Sequence, residues 1–206
     1  FNGLIITRSK VPPFIVTLGT MTIARGLALI FSNGRPVSNL SDAFNFIGGG
    51  TIRGVPFPIV ILVLAFIVCA LLLGRTTWGR YMYAVGGNEL AARASGINVN
   101  KVKMMVYTLC GGLAGIAGVL LTSRITTGQP NAGMGFELDA IAAAIIGGNR
   151  TTGGTRHMVG TLLGALLIGV ISNGLDLMNV SSYYQLVIKG LIIVGAVVLD
   201  SVSKNR

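Results

Sequence analysis

The chain alternates long apolar runs with short polar segments that carry most of its charge. Residues 54–74 contain no charged side chain over 21 positions, and residues 104–123 contain none over 20. A helix of roughly 20 apolar residues is long enough to cross the hydrocarbon core of a bilayer. The pattern therefore predicts two membrane-spanning helices, at residues 55–73 and 104–123.

Four more membrane segments complete the predicted arrangement. Residues 11–31 form the first, which Arg25 interrupts, and residues 158–175 and 180–202 form the fifth and sixth. The fourth has only ten uncharged residues between Asp139 and Arg150, which is too short for a full span. It is either a short helix in a protein-lined pocket or a re-entrant segment. We therefore predict an all-α integral membrane protein, a polytopic helical bundle of about six membrane segments with one short or broken.

The composition agrees with a membrane protein. Of the 206 residues, 52% are hydrophobic and 11% are charged, whereas soluble domains carry roughly 25% charged residues. The net charge of +10 comes from bases at the ends of apolar runs, which argues against nucleic-acid binding. A single histidine and two cysteines within apolar runs predict no metal site. Neither GxxxxGK[ST] nor HExxH occurs, so we expect no catalytic residues.

The basic residues also predict the orientation of the chain. If residues 74–103 face the cytoplasm and the fourth segment crosses, the inner loops hold eleven bases and the outer loops three. This bias follows the positive-inside rule. If the fourth segment is re-entrant, each side holds seven, so the crossing arrangement is favoured. We expect one transmembrane domain, residues 1–206, with a cytoplasmic loop at residues 79–103.

This loop contains a predicted helix of about two turns, from Glu89 to Ser95. Asn88 is a favoured N-cap residue, Glu89 lies in the first turn, and Arg93 follows it by four residues. Gly96 stands where a left-handed residue ends many helices. Because so short a helix is marginal in water, we expect it to dock on a partner. A position on the lipid headgroups is the alternative.

The segment GNELAARASGINVNKVK resembles the cytoplasmic coupling loop of bacterial ATP-binding cassette (ABC) importer permeases. It departs from their E-A-A…G pattern because Leu90 separates Glu89 from Ala91. This form of the motif is similar to that of the sugar-importer branch. VPPFIVTLGTMTIARGLALIFSNGRP, GQPNAGMGFELDAIAAAIIGG and GTLLGALLIGVISNGLDL extend the resemblance to the ribose/monosaccharide permeases over essentially the whole chain. The resemblance implies an ATPase-coupling helix built from Gly87, Asn88, Glu89, Leu90, Ala91, Ala92, Arg93, Ser95 and Gly96.

The same resemblance implies the partners of the chain. They are a second permease copy, ABC ATPase subunits, a periplasmic sugar-binding protein and membrane lipid, in a multi-pass protein of the bacterial plasma (inner) membrane. The chain itself would hold no cofactor, since ATP and Mg belong to the ATPase subunit. Fuller permeases of the family carry additional N-terminal spans, which agrees with a chain that begins at Phe1. The sugar, ribose or a related monosaccharide, is left open.

Polar residues within membrane segments are candidates for the transport pathway. The candidates are Arg25, Gln129, Asn131, Glu137, Asp139, Asn173 and Asp176. Arg25 could instead pair with an acid, and the group from Gln129 to Asp139 could be an outer loop that docks the binding protein. Asn173 and Asp176 could cap a helix. For Lys189, anchoring at the membrane border is favoured over function.

Two alternative functions are an ion-coupled secondary transporter and a membrane scaffold or receptor subunit. An ion-coupled secondary transporter of a small polar solute would need buried titratable groups near the midplane, and we expect no acid in the middle of a span. A membrane scaffold or receptor subunit would not need the polar breaks within its membrane segments. The sequence therefore favours the importer permease.

Overall fold

The computed structural model of the chain describes residues 1–9, 11–149 and 158–204. Within these residues the chain forms ten helices and one two-stranded antiparallel hairpin. The elements are α1 (Asn2–Ser9), α2 (Pro13–Ser32), α3 (Asp42–Gly49), β1 (Thr51–Ile52), β2 (Val55–Pro56), α4 (Phe57–Arg75), α5 (Thr77–Gly87), α6 (Glu89–Ala94), α7 (Val99–Arg124), α8 (Phe136–Ile146), α9 (Met158–Leu177) and α10 (Ser182–Lys204). The predicted all-α fold is therefore confirmed.

Among the described residues, four helices are long and apolar enough to cross a membrane: α2, α4, α7 and α9. They match the first, second, third and fifth predicted segments to within a few residues, except that α7 begins five residues earlier, at Val99. Prolines begin two of them, since Pro12 caps α2 and Pro56 caps α4. Proline is tolerated at this end because the first backbone N–H groups of a helix lack partners in any case.

The fourth and sixth predicted segments are also helices. α8 has 11 residues and is therefore about 16 Å long, roughly half the thickness of a hydrocarbon core. Its shortness was predicted, and whether it crosses the membrane stays a prediction. In α10, which runs from Ser182 to Lys204, the apolar stretch among the described side chains is Ser182–Ala196. The basic loop predicted between α8 and α9 lies outside the described residues apart from Asn149.

The chain divides into two compact units, and the prediction of one domain over residues 1–206 stays a prediction. The first unit comprises Phe1–Val85 and Glu89–Gly133, and the second comprises Gly86–Asn88 and Met134–Arg206. In the first unit, α1 packs on α7 and α2, while α3 packs on α4 and on the end of α7.

Ser123 holds α3 against α7. Its side chain is 1% exposed, and its Oγ accepts a hydrogen bond from the backbone N–H of Gly48 at 2.6 Å and donates one to the carbonyl of Phe44 at 2.5 Å. The backbone of Gly48 approaches that of Arg124 so closely that a Cβ atom would not fit there. One hydroxyl thus satisfies two backbone groups of a neighbouring helix.

The second unit is built on α8, with α9 on one side of it and α10 on another. Gly160 and Gly164 of α9 lie directly against the backbone of α8, at Gly147 and Ala143. Small residues permit this close approach of membrane helices. An apolar cluster of α8, α9 and α10 residues completes the packing; its members are Ala142, Ala143, Ile168, Ile146, Ile192 and Ile193.

Three short helices are not among the predicted elements. α1 precedes the first predicted membrane segment, α3 lies between the first and the second, and α5 lies within residues 74–103, ahead of α6. Ser41 caps α3 by accepting a hydrogen bond from Phe44 N–H. Burial of a small face against α7 stabilises α1 and α3, and periodicity over eight residues does not reveal it.

Candidate functional site

The predicted docking helix is α6, a six-residue helix that begins immediately after Asn88 and ends one residue before Ser95. Gly87 is the last residue of α5, so the two helices are separated by Asn88 alone. Both Gly87 and Asn88 are exposed. The sequence therefore located this element to within one residue at each end.

A glycine-based motif terminates α6 as predicted. Gly96 has a φ of 81°, in the left-handed region that glycine adopts without steric penalty. The N–H of Gly96 donates to the carbonyl of Arg93, and the N–H of Ile97 donates to the carbonyl of Ala92, both at 3.1 Å. These two bonds form a Schellman motif, which satisfies carbonyls that the end of the helix leaves without partners.

Glu89 forms ion pairs with two basic residues. Its Oε2 lies 2.7 Å from Nζ of Lys103 on α7, and its Oε1 lies 3.4 Å from an Nη of Arg93, one turn along α6. The Lys103 hydrogen bond lowers the pKa of Glu89, partial burial opposes that change, and the charges of Lys103 and Arg93 reinforce it. The carboxylate is therefore ionised at neutral pH and ties α6 to α7.

The two faces of α6 differ in their environment. Ala92 is buried where α6 packs on α7, whose Val99 and Val102 are buried as well. Leu90, in contrast, is 80% exposed, and Arg93 keeps 61% of its side chain exposed. One face thus attaches the helix to the chain, while a large apolar side chain projects outward from the other.

Lys103 was not among the predicted site residues. It lies 14 positions after Glu89, beyond any helical spacing, and only the fold of the loop brings the two together. Next to the pair is an open cleft of about 380 Å³ between the start of α2 and the α6–α7 corner. Its lining residues are Ile6, Thr7, Val11, Pro12, Pro13, Glu89, Arg93, Asn100 and Lys103.

Three of the predicted pathway residues belong to the first unit. Arg25 is half-buried on α2, and among the residues that the structure describes no carboxylate lies within ion-pair distance of it. The acid partner considered for Arg25 is therefore not found in this part of the chain. Gln129 and Asn131 are exposed in the turns that follow α7.

The other four belong to the second unit, where two of them are bonded to α10. Asp139, near the start of α8, forms an ion pair with Lys189 at 2.8 Å. Asp176, near the end of α9, accepts a hydrogen bond from the amide nitrogen of Gln185 at 2.8 Å. Glu137 and Asn173 are exposed. Lys189 pairs with an acid 50 positions earlier, and its interpretation as a membrane-border anchor stays a prediction.

Comparisons with known proteins identify the family. The family model described as "Branched-chain amino acid transport system / permease component" matches residues 1–197. The chain is 51% identical over 201 residues to the ribose import permease protein RbsC of Bacillus subtilis and 46% identical over 204 residues to that of Escherichia coli K12. It is 40% identical over 199 residues to the L-arabinose transport system permease protein AraH of Escherichia coli K12.

Each of these alignments covers 97% of this chain but only 61% to 64% of the relative. The chain therefore spans somewhat less than two thirds of the length of these proteins. No solved structure gives a significant match. The described part of the chain has four helices long and apolar enough to span a bilayer, and the chain is a multi-pass protein of the inner membrane. The chain belongs to the family of transport-system permease components, which are membrane transport subunits rather than enzymes.

Proposed function

We propose that this chain is part of the membrane-spanning permease subunit of an ABC importer that carries a monosaccharide, ribose or a related pentose, into the cell. The observation that carries the proposal is α6: a short helix tied to α7 by the Glu89–Lys103 pair, with Leu90 80% exposed. An exposed leucine on an extramembrane helix suits a partner protein with an apolar groove. Identities of 46% to 51% with ribose import permeases support the substrate class.

The partners follow from this proposal. The working importer would contain two permease copies, two ABC ATPase subunits that bind ATP and Mg, a periplasmic sugar-binding protein and surrounding lipid. Residues 79–103 would face the cytoplasm as the coupling loop. The count of eleven inner bases to three outer ones, with the fourth segment crossing, supports this orientation. Residues 87–96 would contact the ATPase subunit.

In the proposed mechanism, α6 transmits the movement of the ATPase subunits to the membrane helices. ATP binding closes the ATPase dimer and displaces α6. The displacement passes to α7 through the buried Ala92 contact and the Glu89–Lys103 ion pair. Because α7 is a continuous helix of 26 residues, it carries the displacement across the membrane as a rigid element, and access to the pathway alternates.

The proposed pathway uses polar side chains that can bond sugar hydroxyls. Glu137 and Asn173 are exposed in the second unit, and Gln129 and Asn131 are exposed in the turns after α7. Arg25 supplies a cation within a spanning helix. Asp139 and Asp176 belong to the same polar set, although each already holds a partner on α10. A pathway needs only weak contacts, because tight binding would slow release.

The family description and the relatives name different substrates, so the substrate is tested directly. The description of the family model names branched-chain amino acids, whereas the relatives are named for ribose and L-arabinose. The complete permease is reconstituted with its partner subunits, and ATP-dependent uptake of ribose, L-arabinose, glucose and leucine is measured. Uptake of a pentose over leucine is expected. Leucine uptake, or sugar uptake driven by an ion gradient without ATP, would contradict the proposal.

The coupling role is tested by a Leu90→Asp variant, which places a charge on the exposed face of α6 without touching its buried side. We expect the ATPase subunit to be lost from the purified complex. Met178→Asp is the matched control, since Met178 is 75% exposed in the turn after α9, which the proposed topology puts on the outer face. If Leu90→Asp kept the ATPase subunit as well as the control does, the coupling role of α6 would be wrong.

A further inference from the structure

The second unit contains an ion pair between two membrane segments. Nζ of Lys189 on α10 lies 2.8 Å from Oδ2 of Asp139 on α8, and the two side chains are only 24% and 22% exposed. Lys189 lies seven residues beyond the first residue of α10, a rise of about 10 Å along the helix. The pair is thus set into the packing of the unit and does not lie at a free surface.

The pair lies one helical turn from the apolar cluster on both helices. Ala143 follows Asp139 by four residues on α8, and Ile193 follows Lys189 by four residues on α10; both belong to the cluster or pack against it. Residues four apart lie on the same helix face. Along the face of α8 that packs on α10, the ionic contact of Asp139 is therefore followed one turn later by the apolar contact of Ala143.

Lys189 and Asp139 depend on each other electrostatically. Among the side chains that the structure describes in the second unit, Lys189 is the only basic one, and Glu137 and Asp176 are the only other acids. A single charge within a membrane segment is costly, and removing one partner of a buried pair leaves the other uncompensated. Among the side chains that the structure describes, Asp139 and Lys189 form an ion pair with each other and with no other charge.

α8 is also held by α9, through a contact without charge. The backbone of α9 at Gly160 and Gly164 lies against α8 at Gly147 and Ala143, where no Cβ atom would fit. An 11-residue helix is thereby fixed to α9 by backbone contact and to α10 by the ion pair. Packed contacts of this kind have discrete arrangements and do not deform continuously.

We infer that Asp139 and Lys189 are positioning residues that keep α8 fixed to α10 throughout transport, so that α8, α9 and α10 move as one body. The inference rests on the proposed transport function. In it, Asp139 acts through Lys189 and holds the start of α8 in place, with Glu137 left as the exposed carboxylate of that turn.

The first experiment separates positioning from folding. Asp139→Asn, Lys189→Met, the charge-exchanged double variant Asp139→Lys/Lys189→Asp and the conservative Lys189→Arg are made in the complete permease. Ribose uptake and ATP hydrolysis are measured per assembled complex. Each neutral variant is expected to lower the uptake rate about tenfold and to raise the ATP used per sugar, because an uncompensated charge displaces its helix. Lys189→Arg and the double variant are expected to regain most of the rate.

Leu186→Ala, an exposed position on α10, is the matched control and is expected to transport normally. Neutral variants that merely yield fewer complexes, each with a normal rate and a normal ATP requirement, would overturn the positioning role. The positioning role would also be wrong if the charge-exchanged double variant assembled fully but took up ribose no faster than the single variants.

The second experiment tests the single-body movement. Asp139→Cys and Lys189→Cys are combined in a permease whose Cys69 and Cys110 are changed to serine, and a short bifunctional thiol reagent joins the two positions. We expect the cross-linked complex to transport ribose within about twofold of the unlinked double variant. Loss of uptake on cross-linking would overturn the inference. If the unaltered complex transported no sugar, the proposed function would be wrong. The inference could still be tested by comparing the thermal unfolding temperatures of the single variants with that of the charge-exchanged variant, because this comparison shows whether the ion pair holds α8.

Discussion

Nζ of Lys103 lies 2.7 Å from Oε2 of Glu89, and this bond joins a six-residue helix to the first turns of a 26-residue membrane helix. A helix as short as α6 does not persist in water by itself. Its structure therefore depends on three contacts: the ion pair, the buried Ala92 and the glycine motif at its end. These three contacts therefore stabilise the helix that exposes Leu90.

The ion pair predicts a pH dependence of stability. Lys103 holds the pKa of Glu89 below its ordinary value of 4.5. A lowered pKa in the folded state stabilises the protein at pH above the unfolded value, and this stabilisation is lost as the pH falls through the folded value. Both side chains are about a third exposed or more, so the gain is at most about 1 kcal/mol.

The measurement compares thermal unfolding of the complete permease in detergent with that of its Glu89→Gln variant between pH 3 and pH 8. We expect a small, constant difference at neutral pH that vanishes as the pH falls below 4.5. In a Lys103→Met background the difference should be much smaller at every pH. A difference that grew on acidification would contradict the pairing.

Gly96 predicts a conformational cost for any larger residue. Its φ of 81° disfavours a side chain, so Gly96→Ala should destabilise the end of α6 by about 1 kcal/mol and lower coupled transport. Gly74→Ala is the control, since Gly74 has ordinary backbone angles and no neighbour within 4 Å that a Cβ would meet. Equal effects at the two positions would show that the left-handed conformation is unimportant.

The ends of α6 could be predicted from the sequence because the signals are local. A first-turn acid, an i,i+4 pair and a terminal glycine all act within a few residues of the helix. The ion pairs of Glu89 with Lys103 and of Asp139 with Lys189 could not be predicted in this way. Lys103 is 14 positions from Glu89, and Lys189 is 50 positions from Asp139. Their meeting depends on how helices pack, which no local pattern specifies.

The long helices could be predicted from the sequence, whereas the short helices α1 and α3 could not. α4 has no charge from Phe57 to Gly74, and such a run in a bilayer has no alternative to helix because its backbone must bond to itself. α1 and α3 have eight residues each, too few to express a clear period. Their buried residues are Gly3, Ile6 and Gly48, and the two glycines give no hydrophobic signal. Close backbone approach to α7 defines them, and sequence patterns do not record it.

Removing the hydroxyl group of Ser123 from α7 is expected to lower the stability of the folded protein. Ser123→Ala would leave the N–H of Gly48 and the carbonyl of Phe44 without the bonds that Ser123 supplies, and buried unsatisfied groups of this kind cost about 1–3 kcal/mol. Thr108→Val is the control, because its hydroxyl bonds only to Met104 one turn earlier on an exposed face. Thermal unfolding should separate the two variants by several degrees, and similar unfolding temperatures would contradict the assigned role of Ser123.

Gly164 predicts that the contact between α8 and α9 tolerates no side chain. Gly164→Ala would place a Cβ atom against the backbone carbonyl of Ala143, which cannot move away without shifting α8. The cost expected from such overpacking is about 1–3 kcal/mol.

Gly169→Ala is the matched control on the same helix, since nothing lies within 4 Å of the Cβ it would add. The control should be neutral or slightly stabilising, because alanine favours helix over glycine. Thermal unfolding of the two variants in the complete permease checks this difference. Opposite signs at positions five residues apart would locate the α8–α9 contact at Gly164, whereas equal destabilisation would mean that the face carrying Gly169 is also covered in the assembled protein.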